Sequence, residues 1–197
     1  MSPFASSLVC VFFNAEGEPT DFYRHAAMAI PEIARLGRST IHLLSTDVRY
    51  VPCAATQEIP AGIDSWTDPE QPLASTDLYQ QRISVSGSRK GSDFIVGYFL
   101  DGRGERYFMP VNVRQDPESR KDCTETITID FDFADTPISR LQRLNRTTGD
   151  KEIIDDSHSM FSAMGNGRFR LVLQLAGGTG DLFKYDTGAP FAGIDLP

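Results

Sequence analysis

The stretch "CTETITIDFDF", residues 123–133, alternates between two kinds of side chain over its whole length. In an extended chain one face carries Cys123, Glu125, Ile127, Ile129, Phe131 and Phe133, and the other carries Thr124, Thr126, Thr128, Asp130 and Asp132. Successive side chains of a strand point to opposite faces, and antiparallel sheets commonly bury only one of them. The stretch therefore predicts a half-buried antiparallel strand.

Six further stretches have the length and composition of strands. They are "QRISVSG" (81–87), "DFIVGYFL" (93–100), "ERYFMPVNV" (105–113), "SRLQRLN" (139–145), "KEIID" (151–155) and "GRFRLVLQL" (167–175). The turns "DGRG" and "RTTGD" separate two consecutive pairs, as hairpins require. About seven strands at this close spacing predict an all-β sandwich. The fold class is therefore mainly β: an antiparallel β-sandwich preceded by a short helical segment.

The helical segment begins after a short strand candidate, "SLVCVFF" (7–13), and the turn "NAEGEP" (14–19). Thr20 suits a helix N-cap, Gly37 suits the end of the helix, and Pro31 is expected to kink it. One helical face is formed by Phe22, Ala26, Ile30 and Ile33. The following "STIHLLSTDVRYVP" (39–52) is compatible with a further helical turn or with extended chain. Residues 52–80 are rich in Pro, Gly, Asp, Ser and Thr and are predicted to form a linker or a long surface loop.

Charge and composition exclude several classes of partner. The formal net charge of −8 argues against nucleic acid, because binding phosphates needs clustered Lys and Arg. No apolar stretch approaches the roughly 20 residues of a membrane span, so a soluble protein is expected. Cys10, Cys53 and Cys123 are far apart and odd in number, which indicates buried free thiols rather than a disulfide framework or a metal knuckle.

The glycine cluster in "LAGGTGDLFKYDTGAPF" (175–191) raises the question of a phosphate site. Lys184 is followed by Tyr185, which does not match a Walker loop, and the glycine spacing does not match a dinucleotide fingerprint. The cluster is instead expected to turn the chain out of a strand ending at Leu175. Leu182 and Phe183 are then predicted to cover an open end of the core.

Three patterns together resemble a known architecture: "VGYFLDGRGERYFMPVNV", "TITIDFDFADTPISRLQRLNRTTGDKEIID" and "GRFRLVLQLAGGTGDLFKY". They look like the C-terminal β-sandwich of bacterial glycoside hydrolases of a β-galactosidase-like kind, which are built on a TIM barrel. The stretch "NAEGEPTDFYRHAAMAIPEIARLG" (14–37) is similar to the last loop and helix of such a barrel. The resemblance implies three parts: residues 1–51 from the barrel end, residues 52–80 as a linker, and residues 81–197 as the sandwich.

The resemblance implies a non-catalytic role. A TIM barrel takes about 250 residues and its catalytic residues come from several strands, so no catalytic residue of the family is carried over to this chain. The partner implied is the catalytic barrel domain. Whether the chain is an enzyme by itself is left open, and a small hydrolase is the less favoured alternative.

Acidic and histidine residues do not form a recognisable site in the sequence. Paired acids at Asp130 and Asp132, Asp155 and Asp156, and Glu16 and Glu18 are typical of solvated surface. His25, His42 and His158 lack the related spacing that metal ligands show. Neither a metal nor a cofactor is therefore predicted.

A free-standing carbohydrate-binding sandwich is the other alternative, with carbohydrate itself as the partner. Aromatic rings that stack on a sugar are the feature to look for, and the candidates are Trp66, Tyr98 and Tyr107. Alternation in the strand "DFIVGYFL" leaves open whether Tyr98 lies in the core with a satisfied hydroxyl.

Overall fold

The computed structural model describes residues 12–14, 16–53, 58–66, 77–86, 92–114 and 123–195. Within these ranges it is mainly β, with two antiparallel sheets preceded by one helix, so the predicted fold class is confirmed. The helix is α1 (Asp21–Thr40). Neither α1 nor any other helix among the described residues is long and apolar enough to cross a membrane. The strand candidate at residues 7–13 lies mostly outside the described residues.

Ten strands form the two sheets in the described ranges. The six-stranded sheet has the spatial order β1 (Leu43–Val51), β3 (Phe94–Asp101), β4 (Arg106–Asn112), β10 (Leu182–Tyr185), β6 (Leu141–Leu144) and β7 (Lys151–Ile154). The four-stranded sheet has the order β2 (Gln80–Val85), β5 (Glu125–Asp132), β9 (Arg168–Leu175) and β8 (Phe161–Gly165). All seven predicted strands are present.

The alternating stretch becomes β5, a central strand of the smaller sheet. It pairs with β9 so that Ile127 lies opposite Leu173 and Ile129 opposite Leu171, and all four side chains are buried. The core lies between the two sheets and is rich in aromatic rings: Phe94, Phe108, Phe131, Phe133, Phe161, Phe183 and Tyr185. Cys53 and Cys123 are buried, as predicted, and neither is in a disulfide within the described residues, whereas Cys10 lies outside those residues.

The segment after the glycine cluster differs from its prediction. Strand β9 ends at Leu175 as expected, and Gly178 has a positive φ of 69° at the turn. The chain then re-enters the six-stranded sheet as β10, between β4 and β6. The prediction that Leu182 and Phe183 cover an open end of the core is wrong, because both are completely buried in an interior strand.

Strand β1 settles the alternative left open for residues 39–52. After one further helical turn the chain becomes extended, and β1 pairs with β3 along its length, with a register shift between Ser45 and Asp47. Strand β1 forms one edge of the six-stranded sheet, and the division of the chain at residues 51 and 80 stays a prediction. The likeness of residues 14–37 to the end of a barrel stays a prediction.

Helix α1 begins as predicted, because the Thr20 side chain accepts a hydrogen bond from the backbone N–H of Tyr23. It does not end at Gly37 but continues to Thr40, with Pro31 inside it. Its C-terminal end lies against the C-terminal segment of the chain: a Cβ added at Gly193 would overlap the carbonyl oxygen of Arg38. This end of the helix is therefore fixed to the sandwich.

Candidate functional site

The N-terminal half of α1 projects from the sandwich with its apolar side chains in water. We call the predicted apolar face, Phe22, Ala26, Ile30 and Ile33, the helix stripe. Phe22 is 56% exposed, Ile30 61% and Ile33 66%. An amphipathic helix normally turns such a face toward its own core, yet the helix stripe does not pack on the sheet.

The helix attaches to the sandwich by a neighbouring side instead. Leu36 packs against a second apolar cluster on the outer face of the six-stranded sheet. The guanidinium of Arg35 donates a hydrogen bond of 3.4 Å to the carbonyl oxygen of Arg146, and Glu32 lies 3.6 Å from the Arg146 side chain. These contacts with the sandwich all involve the second half of the helix.

Aromatic residues extend the helix stripe into a larger apolar surface. The Phe12 ring lies 5.3 Å from that of Phe22, and the Phe13 ring lies 5.2 Å from that of Tyr23. A groove of about 450 Å³ is lined by the rings of Phe12, Phe13 and Tyr23 and by the helix residues Ala26, Ala27, Ile30 and Pro31. An exposed apolar surface of this extent typically marks an interface.

A second concavity, which we call the helix cleft, lies between α1 and the outer face of the six-stranded sheet. It measures about 480 Å³. Its apolar walls are Met28, Ile33 and Leu36 on the helix and Met109 and Val111 on β4. His25, Glu32, Arg146 and the turn of residues 177–180 add polar groups.

The charges around the helix cleft form a connected set. One guanidinium nitrogen of Arg146 pairs with Asp181, and Arg143 lies 3.5 Å from the same carboxylate. Arg143 also pairs with Glu152 at 2.8 Å. The Nε of Arg146 is buried without a hydrogen-bond partner, 3.6 Å from Glu32 Oε2. Two guanidinium groups, Arg143 and Arg146, therefore lie beside three carboxylates, Glu32, Glu152 and Asp181, and Arg146 Nε has no hydrogen-bond acceptor.

The three predicted sugar-binding rings do not come together. Tyr98 is 2% exposed in the core, where its hydroxyl donates to Gln80 at 2.8 Å. Tyr107 is 1% exposed on the opposite side of the sheet, packed on Phe191, and burial raises its pKa to about 12. Trp66 is partly exposed and packs against the core. Stacking on a sugar needs an exposed ring face, so of these three rings only Trp66 is a candidate for a sugar contact.

Asp77 belongs to a buried hydrogen-bond network that the sequence analysis did not predict. Its carboxylate accepts hydrogen bonds from the backbone N–H groups of Tyr79 and Gln80 and, at 2.7 Å, from the Tyr185 hydroxyl. The Gln80 amide donates to the Tyr185 hydroxyl and accepts from Tyr98. Burial raises the pKa of Asp77, and the hydrogen bond from Tyr185 opposes that rise.

The carboxylates singled out in the sequence lie in ordinary surface environments. Asp130 makes two hydrogen bonds to Arg170, at 2.7 and 2.9 Å, on the outer face of the smaller sheet. Hydrogen bonds from Ser157 lower the pKa of Asp155. In the part of the chain that the structure describes, no group of three or more His, Cys, Asp or Glu residues could hold a metal ion.

Comparison with known proteins gives one weak likeness. No family model and no curated protein matches the chain. Its fold is similar to part of a solved structure, a rhamnosidase from Novosphingobium sp. PP1Y, with a TM-score of 0.38 and 16% sequence identity. The match covers 68% of this chain and 11% of the rhamnosidase chain. The chain therefore has a weak structural likeness to a segment of one glycoside hydrolase, and a likeness of this size carries no argument about family or activity.

Proposed function

We propose that the chain is a non-catalytic β-sandwich portion of a glycoside-hydrolase-like protein, and that it packs on a carbohydrate-active barrel through the helix stripe. The observation that carries this proposal is the exposure of the helix stripe. Phe22, Ile30 and Ile33 are each more than half exposed, although the two sheets enclose a buried core of their own.

The energetics of these side chains favour a protein partner. Fully burying one Phe or Ile side chain contributes about 1.5–3 kcal/mol relative to leaving it in water. The helix stripe and the rings of Phe12 and Phe13 form one continuous surface, so a single partner could cover them together. Asp21 and Arg24 beside the stripe pair with each other, so the partner needs no net charge. An apolar groove between barrel helices has this chemistry.

A free-standing carbohydrate-binding sandwich is the second candidate, and the partial exposure of Trp66 favours it. The backbone N–H of Trp66 donates a hydrogen bond to the carbonyl oxygen of Tyr50. Glycan binding that is lost in Trp66→Ala while the fold is retained would support this candidate over the first.

The docking proposal predicts that the same double substitution has different effects in the isolated chain and in the parent polypeptide. The double change Ile30→Glu and Ile33→Glu should alter the free energy of unfolding of the isolated chain by no more than about 0.5 kcal/mol, because both side chains are already in water. In the parent polypeptide of the source cells, the same change should cost about 2–3 kcal/mol, since it places carboxylates in an apolar interface. Urea unfolding of both proteins measures the two values.

The control is Leu44→Glu, because Leu44 is 70% exposed and lies outside the helix stripe. It should be nearly neutral in both proteins. The parent polypeptide is identified first, with an antibody raised against this chain. Detection of only a 197-residue product, or equal effects of the double change in both contexts, would contradict docking on a barrel.

A further inference from the structure

We propose that the helix cleft is a binding site for a neutral, hydroxylated ring, that is, a single sugar residue or a cyclic polyol. This inference requires no partner on the helix stripe, although Ile33 belongs to both surfaces. It rests on the size of the cleft, on the nature of its walls and on the presence of both positive and negative groups around it.

The size and walls of the helix cleft suit a small ring. Its volume of about 480 Å³ lies within the range of roughly 300–1,000 Å³ that small-molecule sites occupy. Met28 on the helix and Met109 on β4 lie on opposite walls. Methionine side chains adapt to irregular shapes, and a pyranose has apolar C–H faces that such walls can contact.

The polar groups select a ligand that both donates and accepts hydrogen bonds. Arg146 Nε has no hydrogen-bond acceptor, and Glu32 Oε2 lies 3.6 Å away, too far for a hydrogen bond. A ligand hydroxyl at this point can accept from Nε and donate to the carboxylate. Glu32 remains 24% exposed, so its carboxylate is within reach of a molecule in the cleft.

The charges around the cleft disfavour ionised ligands. An ammonium group would lie against the guanidinium of Arg146, whereas a carboxylate would lie against Glu32 and close to Asp181. Like charges brought together in a partly buried site destabilise binding. A neutral ligand avoids both costs, which is why we assign hydroxyl groups rather than charged groups to it.

The direct test is a titration with D-galactose, followed through the methyl signals of ¹³C-labelled methionines. Met28 and Met109 line the cleft, whereas Met164 is exposed on β8 and serves as the internal reference. We expect the Met28 and Met109 signals to move together and saturate below about 100 mM, as a millimolar site requires. If neither signal moves, or if Met164 moves equally, the proposal is overturned.

A matched pair of variants tests the assigned hydrogen bond. Glu32→Gln should weaken galactose binding about tenfold, because a hydrogen bond to a charged group is lost. Asp21→Asn removes a carboxylate of the same helix outside the cleft and should bind like the original chain. The ligand-free methyl spectrum reports whether each variant is folded. Equal binding by both variants would overturn the role of Glu32.

Two further titrations separate ligand classes and sites. Myo-inositol should shift the same two methyl signals, and galacturonate should bind at least about fivefold more weakly than galactose because of its carboxylate. Trp66→Ala should leave the shifts unchanged. If galacturonate binds more tightly, or if the shifts disappear in Trp66→Ala, the cleft is not the site described here, and the docking proposal is unaffected.

Discussion

Replacing Phe183 with alanine is expected to lower the free energy of unfolding by about 3–5 kcal/mol, the usual cost of truncating a buried Phe. Phe183 is completely buried in β10, the strand between β4 and β6. Its ring is stacked on that of Phe108, with 5.2 Å between centroids. A cavity at this position lies between strands paired on both sides, so the structure has little freedom to collapse into it.

Phe22→Ala is the control for the same change of side chain outside the core. Phe22 is 56% exposed on the helix stripe, and its truncation in the isolated chain should cost no more than about 0.5 kcal/mol. Urea denaturation with an unchanged m-value gives both numbers. A cost below about 1 kcal/mol for Phe183→Ala would contradict an interior strand and would fit a residue that only covers the end of the core.

The sequence was sufficient to predict the strands that are buried on one side. In β5 and β9 the polar and apolar side chains alternate, and the two strands pair with their apolar positions on the same face. Strand β10 has no such pattern because all four of its residues are buried. Its Lys184 is buried because its ammonium pairs with Glu105 at 2.8 Å, a long-range contact that spacing cannot reveal.

The apolar residues of α1 were also identified correctly, but not what they contact. Periodicity shows that Phe22, Ala26, Ile30 and Ile33 share a face, and it is silent on whether that face meets this sandwich or another protein. Tyr98 and Tyr107 show the same limit. The sequence pattern of a strand is the same whether an aromatic ring on it is exposed or buried. In this fold both rings are buried, and their hydroxyl groups are hydrogen-bonded to buried partners, Tyr98 to Gln80 and Tyr107 to Ala192.

The second large loss of stability is expected in Tyr185→Phe, because Tyr185 belongs to the buried hydrogen-bond network around Asp77. Removing this hydroxyl takes a 2.7 Å hydrogen bond from a carboxylate that is 2% exposed. Hydrogen bonds to charged groups contribute about 1.5–3 kcal/mol, so a loss of about 2–3 kcal/mol is expected at a pH where Asp77 is ionised.

The pH dependence of this loss distinguishes the hydrogen bond from simple packing. Burial raises the pKa of Asp77, so the native state holds its proton more tightly than the unfolded state does. The stability that this contributes is complete below the unfolded pKa, near 4, and is lost as the pH rises through the native pKa. Because the Tyr185 hydrogen bond lowers that native pKa, removing it raises the pKa further. The difference in stability between the original chain and Tyr185→Phe should therefore grow as the pH rises through the native pKa of Asp77 in the original chain towards the higher native pKa in the variant.

Tyr98→Phe is the matched control for this pH dependence. The Tyr98 hydroxyl donates to the neutral amide of Gln80, so its loss should cost about 1 kcal/mol with little change between pH 4 and pH 7. Other carboxylates affect both variants equally. Burial raises the pKa values of Glu105 and Asp186, but hydrogen bonds from Lys184 to Glu105 and from Arg140 to Asp186 outweigh this effect, so both pKa values are lowered. Their loss of stability in acid cancels in the differences. If the Tyr185→Phe difference stayed constant with pH, Asp77 would not be the charged acceptor of this bond, and the hydroxyl would act only through Gln80.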